Sequence, residues 1–308
     1  MGKRKRNQRA PGSLYAPRYW LSWLVVAFAW SLAKLPGSWQ RSLSRGLAKL
    51  LMKTKNSRVS TIRRNIELCF PDLSNQQQSA LAEKNLASSI LLIFDFLDTV
   101  WASPEAINKR GEVIGEAHLK QALASGKPLI LLSGHSTAFP LAFARLSQSQ
   151  PFHAVYRPMD NPVFESRFYQ KAASKFPITI ISRRRIPRIL KQLKSQGVVS
   201  IVPDQDLGKK SGAFIPFFGI QAATITAVPR YAEFAGANVL PYNMYREEGG
   251  RYRIEIEAAL KNYPSGDDVA DTQRWSDWLE NSIRKQPEDY FWLHKRFKTR
   301  PEGEQKIY

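Results

Sequence analysis

The sequence predicts an α/β fold, a mostly parallel mixed sheet flanked by helices, preceded by an N-terminal membrane-anchor helix. Three observations predict it. From residue 128 onward short apolar runs alternate with helical patterns; a loop separates each run from the pattern after it; and near the start of the chain fifteen consecutive residues carry no charge. The composition agrees, since 43% hydrophobic residues in 308 is far from the makeup of a disordered chain and enough for a substantial core. A single cysteine, Cys69, excludes an internal disulfide, and with only four histidines no cysteine-based zinc spacing exists.

The charge divides the chain. Of a formal net charge of +20, residues 1–64 supply 15 Lys/Arg and no acid. Residues 1–18 form a basic tail opening with Lys3-Arg4-Lys5-Arg6, residues 19–35 a hydrophobic anchor, and residues 36–308 the α/β domain. The uncharged run, residues 19–33, holds Trp20, Trp23 and Trp30 between Arg18 and Lys34. Fifteen helical residues fall short of the roughly 20 that a bilayer core requires. A spanning or half-inserted anchor, an interfacial helix, a buried core helix and a signal peptide therefore remain open; basic flanks favour the cytoplasmic side for what adjoins the run.

Beyond the anchor, Val59, Ile62, Ile66 and Cys69 recur at helical spacing, and the pattern stops before Pro71. A second helix starts at Ser74 and runs toward Trp101. Then follow a strand at 128–133, a helix at 140–146, a strand at 152–156, a helix at 161–174, a strand at 178–181, a helix at 186–195 and a strand at 198–202. Alternation of this kind builds a parallel sheet with right-handed crossovers. A helix over 222–235 leads to a strand at 239–245, and 252–258 alternates as its antiparallel partner across Glu247-Glu248-Gly249-Gly250. Residues 272–284 form the last helix.

Ligands of open α/β sheets sit beyond the carboxyl ends of the strands. Gly134-His135, Tyr156-Arg157-Pro158 and Pro203-Asp204-Gln205-Asp206 all fall there. His135 reads either as a general base at the sheet edge or as a polar cap of a loop. Asp204 and Asp206 read either as a pair orienting a cationic partner or as acids capping a turn. The stretch Gly208-Lys209-Lys210-Ser211-Gly212 lacks phosphate-loop spacing and reads as a mobile loop in which Lys210 reaches an anionic substrate. Nine Lys/Arg and no acid lie between Glu165 and Asp204, including Arg183, Arg184, Arg185 and Arg188. A second basic cluster, His294-Lys295-Arg296-Phe297-Lys298-Thr299-Arg300, follows Tyr290-Phe291-Trp292. Such patches suit phosphates or an acidic protein; nucleic acid is the rival, but no nucleic-acid module is recognisable.

These residues carry a resemblance. Arg64-Asn65-Ile66-Glu67-Leu68-Cys69-Phe70-Pro71, Ala154-Val155-Tyr156-Arg157-Pro158 with Asn161-Pro162, Pro203-Asp204-Gln205-Asp206-Leu207-Gly208 running into Phe214-Ile215-Pro216-Phe217-Phe218-Gly219, and the segment from Tyr290 to Gly303 are ordered along nearly the whole chain. In them the sequence resembles the late acyltransferases of lipid A biosynthesis, the lauroyl/myristoyl transferases of Gram-negative bacteria. The resemblance implies a glycerolipid-acyltransferase-like domain at the inner membrane, with its site on the cytoplasmic side. It implies transfer of a fatty acyl chain from acyl carrier protein, with no other cofactor, to a hydroxyl of a Kdo-bearing lipid A precursor. It implies His135 as general base and Arg157, Asp204, Asp206, Lys210, His294, Lys295, Arg296 and Lys298 as substrate-binding residues. The family pairs its histidine with an acid five residues on, and here that position is Pro140. Either Asp204, Asp206 or Glu165 supplies the missing charge, or the chain is an impaired or divergent relative that retains binding or moves another acyl or aminoacyl group. Chain length, accepting hydroxyl and oligomeric state are not encoded legibly.

Overall fold

The computed structural model describes residues 13–182, 185–209 and 212–308. Four helices come first. α1 (Trp20–Ala33) and α2 (Gly37–Leu51) meet at 114°. α3 (Ser57–Cys69) starts on an Asn56 cap and ends at Phe70, since Pro71 follows. The long α4 (Asn75–Trp101) opens with a capping box in which Ser74 and Gln77 satisfy each other's backbone N–H. Among the described residues no single helix is long and apolar enough to cross a membrane; only α1 with its preceding turn and α2, taken together as a bent pair, have the length and apolarity.

The remaining chain winds the sheet. In order it forms α5 (Pro104–Asn108), β1 (Gly111–Ile114), α6 (Glu116–Ala124), β2 (Leu129–Leu132), α7 (Phe139–Ser149) and β3 (Phe152–Tyr156). Next come α8 (Pro162–Phe164), a π-helical turn (Glu165–Gln170) and α9 (Lys171–Ala173), which together make one irregular helix, then β4 (Ile178–Ser182), α10 (Ile186–Lys194) and β5 (Val198–Ile201). β6 (Gly212–Phe217), β7 (Ile220–Ile225), α11 (Ala227–Ala235), β8 (Asn238–Arg246), β9 (Tyr252–Ile256) and α12 (Asp268–Lys285) complete it. The seven-stranded sheet has the order β1-β9-β8-β2-β5-β3-β4, and β6 and β7 form a separate antiparallel hairpin. β8, β2, β5, β3 and β4 are parallel, while β9 runs antiparallel to β8 and parallel to β1.

Strand alternation splits the core between two faces. Ile130, Leu132, Val199 and Val239 face α3, α4, α10, α11 and α12, whereas Leu129, Leu131, Val198 and Leu240 face α6 and α7. All four residues of β2 are buried, as expected of a central parallel strand covered on both sides.

The mostly parallel sheet, its flanking helices and the antiparallel β8/β9 pair match the sequence expectation. Two parts differ. Residues 220–225 are the second arm of a hairpin, not the start of a helix: Phe218 and Gly219 take positive φ and turn the chain back, so the helix begins only at Ala227. The N-terminal region holds two helices where one anchor was expected, because Pro36 cannot continue α1 and seats instead at the start of α2. Both helices pack inside out. α1 buries Ser22 and Ala29 and exposes Trp20, Leu21, Leu24, Val25, Phe28 and Trp30; α2 buries Gln40, Ser44 and Ala48 and exposes Trp39, Leu43, Leu47 and Leu50.

Candidate active site

β2 and β5 are neighbours, with Leu132 opposite Ile201. Three residues beyond those partners stand His135 and Asp204, so the register brings them to the same height above the sheet. Asp204 is 2% exposed. Its Oδ2 accepts the His135 backbone N–H at 2.9 Å and the Tyr290 hydroxyl at 2.9 Å, and its Oδ1 accepts the His135 ring Nδ1–H. Burial by itself would push the Asp204 carboxyl up. The His135 imidazole, the hydrogen bonds from that residue and Arg296 overcome it and hold the group well below the usual carboxylate range. An ionised carboxylate only accepts, so the Nδ1 facing it carries the proton and Nε2 of the neutral ring keeps its lone pair. The imidazole remains 32% exposed, open to a substrate.

The loop bearing His135 is held from behind. Phe291 N–H binds the His135 carbonyl at 3.0 Å, Thr137 N–H binds the Asp289 carbonyl at 2.7 Å, and Ser136 bridges to Tyr290. Ser88 on α4 links the Thr137 hydroxyl at 2.7 Å to the Asp289 carboxylate at 2.8 Å. Arg246, at the end of β8, binds the Thr137 carbonyl and reaches Asp95 on α4. Asn85 on α4 donates to the carbonyls of Glu288 and Tyr290, and Asn65 on α3 to those of Trp292 and His294. Two buried asparagines thus clamp the segment that delivers Tyr290 to Asp204. Sequence reasoning gave no site role to Tyr290, Ser88, Asn85, Arg246 and Asp289; Asn85 and Ser88 showed only as polar residues within an otherwise apolar helical pattern, and Tyr290 only as the first residue of the aromatic run before the basic cluster.

Of the three acids considered for the place lost at Pro140, only Asp204 meets His135. Glu165 accepts from the Tyr156 hydroxyl at 2.8 Å and from Met159 N–H at 2.9 Å, closing the loop after β3. Asp206 accepts from Gly208 N–H and from both the backbone and hydroxyl of Thr299, pinning the C-terminal segment to the loop after β5. Pro140 is itself buried at the start of α7.

Several expected substrate contacts have other positions. Arg296 is 2% exposed, and its guanidinium donates to the Ala223 carbonyl at 2.8 Å and to Thr224 Oγ1 at 2.6 Å, so it braces β7 and offers no face to a ligand. His294 accepts the Asp206 N–H at its Nε2, and burial pulls its pKa down to about 4, so it is a neutral bracing group and not a cation. Arg157, Lys295 and Lys298 are exposed. Lys210 lies outside the described residues, as do Arg183, Arg184 and the start of the basic tail.

A histidine held by a buried carboxylate at the carboxyl edge of a doubly wound α/β sheet is an arrangement chemically able to take a proton from a hydroxyl. Residues 8–299 match the family model of bacterial lipid A biosynthesis acyltransferases. The chain is 33% identical over 296 residues to a lipid A biosynthesis lauroyltransferase of Escherichia coli, covering 94% of this chain and 95% of that protein. It is 30% identical to a lipid A biosynthesis acyltransferase of Haemophilus influenzae, covering 96% and 97%, and 29% identical to a lipid A biosynthesis palmitoleoyltransferase of Escherichia coli, covering 95% of each. The chain belongs to the bacterial lipid A biosynthesis acyltransferases: it is an acyltransferase, and its chemistry is acyl transfer in lipid A biosynthesis.

Proposed function

We propose that the protein moves a fatty acyl chain from the thioester of acyl carrier protein to a hydroxyl of a Kdo-bearing lipid A precursor, working at the cytoplasmic side of the inner membrane. The observation that carries this reading is the His135–Asp204 pair, half-open to solvent on the imidazole side. His135 Nε2 takes the acceptor hydroxyl's proton as that oxygen attacks the thioester carbonyl; a C–O bond forms. The intermediate collapses with cleavage of the C–S bond, and the imidazolium returns its proton to the departing thiolate. Asp204 fixes the ring tautomer and stabilises the imidazolium, the part the family gives to the acid that Pro140 replaces here.

Both substrates are anionic in this scheme. Exposed Arg157, Lys295 and Lys298, with the basic N-terminal block, supply a field that steers an acidic carrier and a phosphorylated, carboxylated glycolipid. The exposed apolar faces of α1 and α2 support a membrane location. The test is transfer from purified acyl carrier thioester to the precursor, followed by mass spectrometry. Wild type should transfer and His135→Ala should not; a variant as active as wild type would remove His135 from the reaction.

A further inference from the structure

The three faces of α2 have three different characters. At about 100° per residue, Gln40, Ser44 and Ala48 fall on one line and are buried. Trp39, Leu43, Leu47 and Leu50 fall on a second and are exposed. Arg41, Arg45 and Lys49 form a third row on the far side of the first, and the helix has no acid. A helix of a soluble protein buries its bulky apolar residues; this one buries its small and polar residues and leaves its tryptophan and every leucine but the terminal Leu51 outside. Lys34 before it and Lys53 and Lys55 after it extend the positive charge.

Contacts at two places fix where this face lies. The Arg41 guanidinium sits against Gly250, where an added Cβ would come within 2.7 Å of it. Gly250 is in the turn after β8, which runs parallel to β2, so α2 borders the carboxyl edge of the sheet where His135 stands. The first turns of α1 reach the same edge. Asn161, shortly after β3, donates to the Ser22 hydroxyl at 2.8 Å, and the Arg167 guanidinium stacks 4.8 Å from the Trp23 ring.

We infer that α2 is an in-plane interfacial helix that binds the surface of an anionic bilayer, seating its Trp39/Leu43/Leu47/Leu50 ridge among the acyl chains with Arg45, Lys49 and the flanking Lys34, Lys53 and Lys55 at the headgroups, so that the catalytic edge is held next to the lipid surface. An apolar ridge with basic residues on the other side of the helix is the pattern that lies in a membrane interface, and anionic lipid adds attraction for each base near the surface. A soluble acidic partner would match the bases but not the ridge; a second copy would match the ridge but leave the bases without a counter-charge. The inference rests on the membrane location proposed above and adds which element makes the contact and where it places the site.

The test uses the full-length chain with vesicles of phosphatidylethanolamine and phosphatidylglycerol, and with vesicles of phosphatidylcholine alone. Cosedimentation should favour the anionic vesicles and weaken with salt. Leu43→Gln/Leu47→Gln should lower anionic-vesicle affinity by about tenfold or more while leaving the melting temperature unchanged. Transfer to a detergent-dispersed acceptor should likewise be unchanged, and transfer to acceptor embedded in vesicles should fall with the binding. Binding by the double variant within about twofold of wild type overturns the assignment of α2. If Leu24→Gln/Phe28→Gln alone abolishes binding, the membrane location stands and only the role of α2 fails. Failure of wild type to bind any vesicle overturns both. Conversion of a dimer to a monomer by the α2 variant, with vesicle binding intact, makes the ridge a contact between copies and also overturns the inference.

Discussion

Replacing Asp204 by asparagine separates charge from shape at the centre of the site. The carboxylate satisfies three donors: His135 N–H and the Tyr290 hydroxyl at Oδ2, and His135 Nδ1–H at Oδ1. An amide has one oxygen. Turned toward the backbone N–H and the phenol it keeps two hydrogen bonds of about 1 kcal/mol each, against one if turned the other way. That orientation points the amide NH₂ at Nδ1, which then has to accept, and the ring proton moves to Nε2. A base protonated on its working nitrogen is no base. The corresponding change in a serine-protease triad costs about 10⁴ in rate, equivalent to about 5.4 kcal/mol of transition-state stabilisation. Asp204→Asn should therefore transfer acyl chains about 10⁴-fold more slowly with little change in KM, as measured by initial rates with carrier thioester, while its circular dichroism matches wild type. A folded variant within about tenfold of wild type would refute the assignment of Asp204, since tautomer control would then contribute no more than about 1.4 kcal/mol.

Further outcomes follow from the same geometry. Pro140→Glu should not speed transfer, because Asp204 already holds Nδ1; an acid at this buried position should lower the melting temperature through an uncompensated burial cost of about 2 kcal/mol or more. A rate increase would mean that Asp204 does not serve the histidine fully. Tyr290→Phe removes one donor to the ionised Asp204, a hydrogen bond of about 1.5–3 kcal/mol, and should lower kcat about tenfold or more with KM retained. A parallel rise in KM would place Tyr290 on the substrate instead. His294 has its folded pKa depressed by burial to about 4, against about 6.5 when unfolded. Above about pH 6.5 its stabilising contribution is fully present, and it is lost as pH falls toward 4, since the unfolded chain then binds the extra proton. Allowing for its partial exposure, about 2 kcal/mol should disappear over that window, and His294→Gln should flatten the melting-temperature profile there; an unchanged slope would show that other groups set it.

How much of this was legible in the sequence depended on the range of the interactions. The strand–loop–helix rhythm comes from local hydrophobic periodicity, so β2, β3, β4, β5, β8 and β9 were readable, as was the carboxyl edge bearing His135 and Asp204. The choice among Asp204, Asp206 and Glu165 was not, because it depends on which strands are neighbours: β5 lies beside β2, and only the Leu132–Ile201 register sets Asp204 opposite His135. Asp206 is two residues away but faces Thr299, the ordinary consequence of a chain that turns as it leaves a strand. Arg296 and His294 sit in a run that looks uniformly basic, yet one is buried against β7 and the other neutral; charge patterning cannot tell a braced arginine from a solvated one. The β6/β7 hairpin was hidden because Ala222 and Ala223 carry no strand preference and their pairing partners alone make them a strand.

On the proposed mechanism, the Leu132–Ile201 pairing also makes activity a reporter on folding. His135 and Asp204 are brought together by two strands 69 positions apart in sequence, with no local contact that would survive their separation. A slip of one residue between β5 and β2 would turn every side chain of the moved strand to the opposite face and carry Asp204 out of reach. If the pair acts as proposed, any partly folded form in which the centre of the sheet has not zipped is chemically silent, and an insertion or deletion between His135 and β5 is harmless only where it leaves that register untouched. By that mechanism, turnover counts the molecules whose central strands are aligned.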